Sequence, residues 1–343
     1  MAERSLTHRQ LNRALLARQM LLERVSLPIP RALDRMGCLQ AQYAPSIYIG
    51  LWSRLDGLER DAVTKALERK TIVQGTLMRS TIHLVSKADY WPLALAVRKT
   101  RREHWTKTRK DHDPKAVAAA ARRLRSRFPM SRSELSEELD KDPVMVNAVG
   151  LWLDLVRVPP SGTWERRRAD LYAAAEDWLG EPGEIDADDA LDHAVRRYLT
   201  GFGPATRDEI ADWAGLPPKR IAPALERLEL RRFVGEDGAE LVDLPRAPLP
   251  DPDTPAPPRL LPTWDATLLV HARRTGILPE EHRPKIFNTK TPQSMPTFIV
   301  DGEVAGSWRY DKGKVKLEPF GRLPKSVRRE LDREAEQLAA FHA

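Results

Sequence analysis

Residues 206–243 read TRDEIADWAGLPPKRIAPALERLELRRFVGEDGAELVD. Thr206 and Glu209 are spaced as a capping box, in which the Thr side chain takes the N–H of the third helical residue and the Glu side chain reaches back. A short helix through Ile210 and Trp213 follows, and Gly215-Leu-Pro-Pro218 is a turn. Lys219 to Leu230 places Ile221, Leu225 and Leu228 on one helical face. Arg231–Val234 and Glu240–Asp243 then flank Gly235-Glu-Asp-Gly238, the form of a β-hairpin. Helix–turn–helix plus hairpin is the order of a winged helix, so the stretch predicts that architecture.

The same order recurs more loosely upstream. Thr7–Gln10 is a capping box before Leu11, Ala14 and Leu15. A second helix is expected near Pro30, with Leu33, Met36, Cys38 and Leu39 on its apolar stripe and Pro45 limiting its run. A third is expected over Asp61–Glu68, followed by a strand in TLMRSTIHLV, 76–85. Another unit starts near Phe128, with a capping box at Ser131–Glu134 and a helix expected from Val144 to Arg157. This is a repeat of architecture rather than of sequence. Leu244 to Arg259 is Pro-rich and reads as an extended, semi-rigid linker. Three β segments between Thr297 and Phe320 and a helix from about Pro324 to Phe341 close the chain.

The fold expected is α+β and predominantly helical: tandem winged-helix domains with a C-terminal β-hairpin and meander, C-shaped overall. The divisions expected are 1–125, 126–185, 186–245 and 246–343.

Composition narrows the function classes. Hydrophobic residues make up 41% of 343, enough for a core without disulfides. The one cysteine, Cys38, excludes a disulfide framework and a multi-cysteine zinc site, and its apolar neighbours mark it as core. No stretch of about 18 apolar residues and no signal-peptide pattern is present, so no membrane association is expected. A cytoplasmic, nucleoid-associated protein is expected. Net charge is +7, and RKTRREHWTKTRK, 98–110, concentrates cations, fitting a polyanionic partner or a solvated helix face. Phosphate-binding loops, dinucleotide fingerprints, metalloprotease and nucleophile-elbow motifs are missing, and the eight histidines show no ligand spacing. No metal and no cofactor are expected.

Four groups of residues remain as candidates for contact or chemistry. In the third unit, Lys219 and Arg220 begin the helix that enters a major groove in such folds, with Arg207, Arg231 and Arg232 placed for phosphates. Gln40 and Gln42 flank Ala41; in an extended turn they share a face, on a continuing helix they diverge. Arg79 can hold a phosphate, and Thr81 and His83 share a strand face, with His83 readable as a satisfied core histidine. The basic, amide-rich loop 283–296 offers Lys285, Asn288, Lys290 and Gln293 to DNA, or is an ordinary hairpin tip.

Several stretches together resemble the AlkZ-type DNA glycosylases: LQAQ at 39–42, LWSRL at 51–55, TLMRSTIHLV at 76–85, YLTGFGPATRDEIADWAG at 198–215, RLLPTWDATLL at 259–269, and PTFIVDGEVAGSWR at 296–309, ending on Arg309. The resemblance implies a monomeric enzyme that binds double-stranded DNA in a concave channel. It implies that Gln40 and Gln42 are catalytic and that a DNA-contacting hairpin falls between Lys285 and Thr297, and Arg309 joins the contact candidates. Gln rather than Asp at position 42 resembles the branch tied to self-resistance against DNA-alkylating natural products. The implied reaction is excision of N7- or N3-alkylated purines, bulky or crosslinked adducts included. The alternatives are a non-catalytic winged-helix regulator and a protein-interaction scaffold.

Overall fold

The computed structural model describes residues 4–168, 170–272, 276–288 and 293–343. The unit that the sequence marks most clearly forms as expected. Helices Ala187–Phe202, Arg207–Ala214 and Pro218–Arg227 precede an antiparallel hairpin, Arg231–Gly235 with Glu240–Asp243. The Thr206–Glu209 capping box is closed in both directions. Gly215 ends its helix with φ +69°, a conformation that costs a residue with a side chain. Ile210, Trp213, Ile221 and Ala224 are buried between the helices. The hairpin is extended by the N-terminal strand Arg4–Leu6, which pairs in parallel with Arg231–Gly235.

The first two units share one sheet. Its six strands run in the order Leu39–Gln40, Ile82–Ser86, Ile72–Thr76, Leu155–Arg157, Leu171–Ala174, Met130–Ser131, with antiparallel neighbours throughout. Three sequence readings change here. The helix at Pro30 spans Ile29–Met36 and stops at left-handed Gly37, where a Cβ would lie 2.8 Å from the Arg197 carbonyl oxygen. Cys38 and Leu39 therefore leave the helix, although both are buried. Burial pushes the Cys38 thiol up to about 12, consistent with a core residue. Pro45 starts a helix, Ala44–Trp52, rather than ending one. All nine of its residues are buried, so it carries no amphipathic period to read. The helix expected to reach Arg157 stops at Leu153, because Asp154 turns left-handed and Leu155–Arg157 joins the sheet.

Leu244–Arg259 is extended, but it is strapped to the body rather than spacing two bodies. Arg231 and Arg18 donate to the carbonyls of Ala247 and Pro248, and Arg9 and Arg13 to those of Pro252 and Thr254. Beyond it, Arg259–Leu261, Thr297–Val300, Glu303–Asp311 and Lys314–Pro319 form an antiparallel sheet. The helix Lys325–His342 buries Leu331, Ala335 and Leu338. A buried bidentate pair, Arg54 with Asp265 at 2.9 Å on both arms, ties the Ala44–Trp52 region to the segment after the strap. Among the described residues no helix is long and apolar enough to cross a membrane.

Candidate active site

The Gln40–Gln42 segment is held by the sheet. Gln40 pairs with His83 in the ladder, and the Ala41 N–H donates to the Ile82 carbonyl at 2.7 Å. Ala41 is fully buried and anchors the segment, while Arg157 donates to its carbonyl at 3.1 Å. The strand ends at Gln40 and the chain bends at Gln42, off any helix, so the two carboxamides converge instead of pointing apart as they would on a helix. Gln40 Nε2 donates to Gln42 Oε1. Gln40 is buried and Gln42 is exposed.

Arg79 sits behind this pair. Its Nη2 donates to Gln40 Oε1 at 3.4 Å and lies 3.5 Å from His83 Nε2, while Nη1 donates to the Trp213 carbonyl. A guanidinium only donates, so it fixes which end of the Gln40 amide is oxygen; the Nε2 end must then face Gln42. His83 Nδ1 is 3.0 Å from the Thr81 carbonyl. That acceptor requires Nδ1–H, which leaves the Nε2 lone pair toward Arg79. Burial first, then the Arg79 charge, lowers the His83 pKa to about 3, so the ring is neutral at pH 7. His83 is buried, which removes it from direct DNA contact, and half-buried Arg79 has both Nη atoms engaged by protein acceptors, an arrangement that supports the glutamine pair. Thr81 does line the open cleft described below.

The backbone at Arg79 is strained. Arg79 and Ser80 are both left-handed, with φ 51° and 57°. Hydrogen bonds from Leu77 N to Thr81 O and from Thr81 N to Met78 O, both 3.0 Å, close the turn. Gly215 packs on it so closely that a Cβ would lie 2.9 Å from Arg79 N. The turn of the helix–turn–helix at 206–227 thus buttresses the glutamine pair.

Gln42 stands at the edge of a cleft of about 580 Å³. Arg101, Arg109, Arg132, Arg157 and His104 line it, over Leu135, Val146 and Leu151, and among the described residues no carboxylate or lysine joins that lining. The helix Lys87–Thr108 supplies one wall: Arg101, His104, Trp105 and Thr108 recur at the spacing of a single face. The basic run is therefore divided. Arg98 and Arg101 bind Asp154 at 2.8 and 3.1 Å, Arg102 approaches it at 3.9 Å, and Arg101 also caps the Thr76 carbonyl. His104, Thr108 and Arg109 are exposed toward the cleft. Of the lining cations, Arg132 and Arg157 carry no sequence signal beyond their type.

The remaining candidates lie elsewhere. Arg207, Lys219 and Arg220 are exposed on the third unit, with Arg207 Nε 3.6 Å from Asp208. Arg231 is committed to buried Asp243, which Arg18 also holds at 2.7 Å, so it is not free for a phosphate; Arg232 is exposed. Arg309 is exposed and pairs with Glu318 at 2.9 Å. Lys285 lies over the Phe320 ring at 4.6 Å. A hairpin does form in the 283–296 region, with Phe287 opposite Ser294 and Asn288 opposite Gln293. Lys290 lies outside the described residues, and only the backbone of Asn288 and Gln293 is described. Among the described residues no three metal-ligating side chains gather.

This geometry has relatives. The solved structure of Streptomyces sahachiroi DNA glycosylase AlkZ superposes with a TM-score of 0.80 at 18% identity, over 98% of this chain and 97% of that one. No curated protein matches in sequence. The family description "DNA glycosylase AlkZ-like" matches residues 33–341, which spans the sheet, the glutamine pair, the cleft and most of the terminal helix. The chain is a DNA glycosylase of the AlkZ-like family.

Proposed function

We propose that this glycosylase removes N7- or N3-alkylated purines from double-stranded DNA as a monomer, leaving an abasic site without cutting the strand. The observation that carries the reading is Gln42: an exposed carboxamide, held by buried Gln40, at the edge of a cleft whose described lining has four arginines and no carboxylate. Arg109 and Arg132, the exposed arginines of that lining, suit phosphates, whose neutralisation dominates DNA affinity.

A lining without carboxylates bears on the substrate. A neutral purine leaves well only when protonated, and its departure leaves a sugar cation that wants a full counter-charge. An alkylated purine is already cationic and departs with the bonding electron pair as a neutral base. A positioned dipole then suffices at C1′. Gln42 Oε1 has one lone pair engaged by Gln40 and a second for a proton of the attacking water. The water oxygen bonds to C1′, the N-glycosidic bond breaks, and the surplus proton passes to solvent. Gln40 acts through Gln42 and is a positioning residue. With no lysine in the described lining of the cleft, no imine with the sugar is expected.

The role follows the same resemblance: glutamine at both motif positions fits an enzyme protecting its cell from a DNA-alkylating natural product, crosslinks included. Purified protein should release N7-methylguanine from methylated duplex DNA in single-turnover assays. Tight, sequence-selective binding to undamaged duplex with no base release would replace the enzyme reading with a regulator.

A further inference from the structure

Between Pro114 and Ala174 the main elements run helix, strand, helix, helix, strand, strand: Pro114–Leu124, Met130–Ser131, Arg132–Glu137, Pro143–Leu153, Leu155–Arg157 and Leu171–Ala174. That is the order of a winged helix, and Pro143–Leu153 holds the place of the helix that enters a major groove. Val146, Asn147, Gly150 and Leu151 of this helix share one face, and all four line the cleft of Gln42. The helix that the sequence marks for this work, Pro218–Arg227, supplies nothing to the described lining.

The face suits close approach to a polar edge. Asn147 is exposed between buried Val146 and Ala148. Gly150 stands inside the helix, where glycine is less stable than alanine. A Cβ there would make only ordinary contact with Leu155, at 3.8 Å, so packing does not require its absence. A glycine facing the cleft lets a ligand come close to the helix backbone.

Arg132 decides which end of the Asn147 amide faces out. Its Nη2 donates to Asn147 Oδ1 at 3.3 Å. A guanidinium only donates, so that end is oxygen and Nδ2 presents N–H groups. Among the described residues nothing accepts from Nδ2, and no carboxylate of the described lining competes for it. In the major groove a purine offers the acceptor N7; cytosine offers the N4–H donor and thymine carries a methyl group.

We infer that Asn147 reads a base beside the lesion by donating Nδ2–H to the N7 of a purine, so that the enzyme prefers its substrate in a purine context on one strand. The inference rests on the proposed reaction at Gln42, which puts the lesion in the same cleft and sets the register. Arg132 keeps its other N–H groups for a phosphate, so one residue anchors the backbone and aims the reader. A single hydrogen bond of this kind favours the purine about fivefold.

The test uses duplexes with one 2′-fluoroarabino N7-methylguanosine, whose fluorine destabilises the sugar cation, so binding is read without turnover. The two base pairs on either side of it would each be varied through all four identities. At one position, both purines on one strand should bind about fivefold tighter than both pyrimidines. Replacing that purine by its 7-deaza analogue deletes the N7 acceptor and should remove the advantage. Asn147→Ala should bring the purine duplex down to the level of the pyrimidine one. Asn147→Asp should turn the preference to cytosine, because a carboxylate accepts from N4–H and repels N7; a structural role for Asn147 would not invert it. Thermal melts check folding. Equal affinity in every context would overturn the inference, as would a purine preference that survives 7-deaza replacement or Asn147→Asp. Context-blind binding with N7-methylguanine released from ordinary lesions leaves the proposed reaction standing. An N7-dependent preference without any base release leaves Asn147 as the reader and removes the chemistry at Gln42.

Discussion

Gln40 donates its side-chain N–H to the Oε1 of Gln42, and only the acceptor reaches the open cleft. Two residues of one type, two positions apart, thus have different work. The asymmetry comes from Arg79, which occupies the oxygen end of Gln40 and leaves its nitrogen for Gln42.

The first prediction follows from that chain of hydrogen bonds. Gln42→Ala should slow single-turnover release of N7-methylguanine by about 10²–10³, the usual worth of a positioned dipole. Gln40→Ala should slow it less. The double variant should be no slower than Gln42→Ala, because a residue acting through another adds nothing once that other is gone. Additive losses would mean that Gln40 meets the substrate directly.

A second prediction concerns Gly215, far from Gln42 in sequence. Gly215→Ala puts a Cβ against Arg79 N and strains a left-handed position. A cost of about 1–3 kcal/mol in urea denaturation is expected. Base release should fall beyond what the lost stability explains, with DNA affinity kept. A variant as active as the parent would show that the turn does not position the pair.

The histidines give a third. His83 has a folded pKa of about 3, below the ordinary 6.5, so between those values the unfolded chain binds a proton that the folded chain refuses. Stability should be at its plateau above pH 6.5 and fall as pH drops below it, by up to about 1.4 kcal/mol per pH unit from this group. Buried His271, also lowered, adds to the same trend. Urea midpoints for the parent and His83→Gln at pH 7, 6 and 5 would measure it. A slope identical in both proteins would refute the assignment to His83.

A fourth addresses the cleft. Arg109→Ala and Arg132→Ala should each weaken duplex binding and reduce the slope of log affinity against log salt by about 0.9 for each phosphate no longer neutralised. Arg231→Ala, at a residue tied to Asp243, should leave the slope unchanged and lower the melting temperature. Fluorescence anisotropy at several salt concentrations separates these outcomes.

The sequence alone determined what is local and periodic. The capping boxes at Thr7, Ser131 and Thr206, the helix–turn–helix with its hairpin, and the C-terminal meander repeat within a few residues, and short-range hydrogen bonding fixes them. Residue patterns across the chain also carried the family. The tertiary structure decided what depends on distant partners. The Ala44–Trp52 helix has no polar face, so its period cannot be read, and it took burial on all sides to define it. Arg79 looked like a phosphate ligand until Trp213, 134 positions away, took one arm and Gln40 the other. The cleft exists because strands from both of the first two units share one sheet, setting Arg157 and Arg132 beside Gln42. Side-chain type is written in the chain, but whether an arginine meets a carbonyl, a carboxylate or solvent depends on which remote segment packs against it.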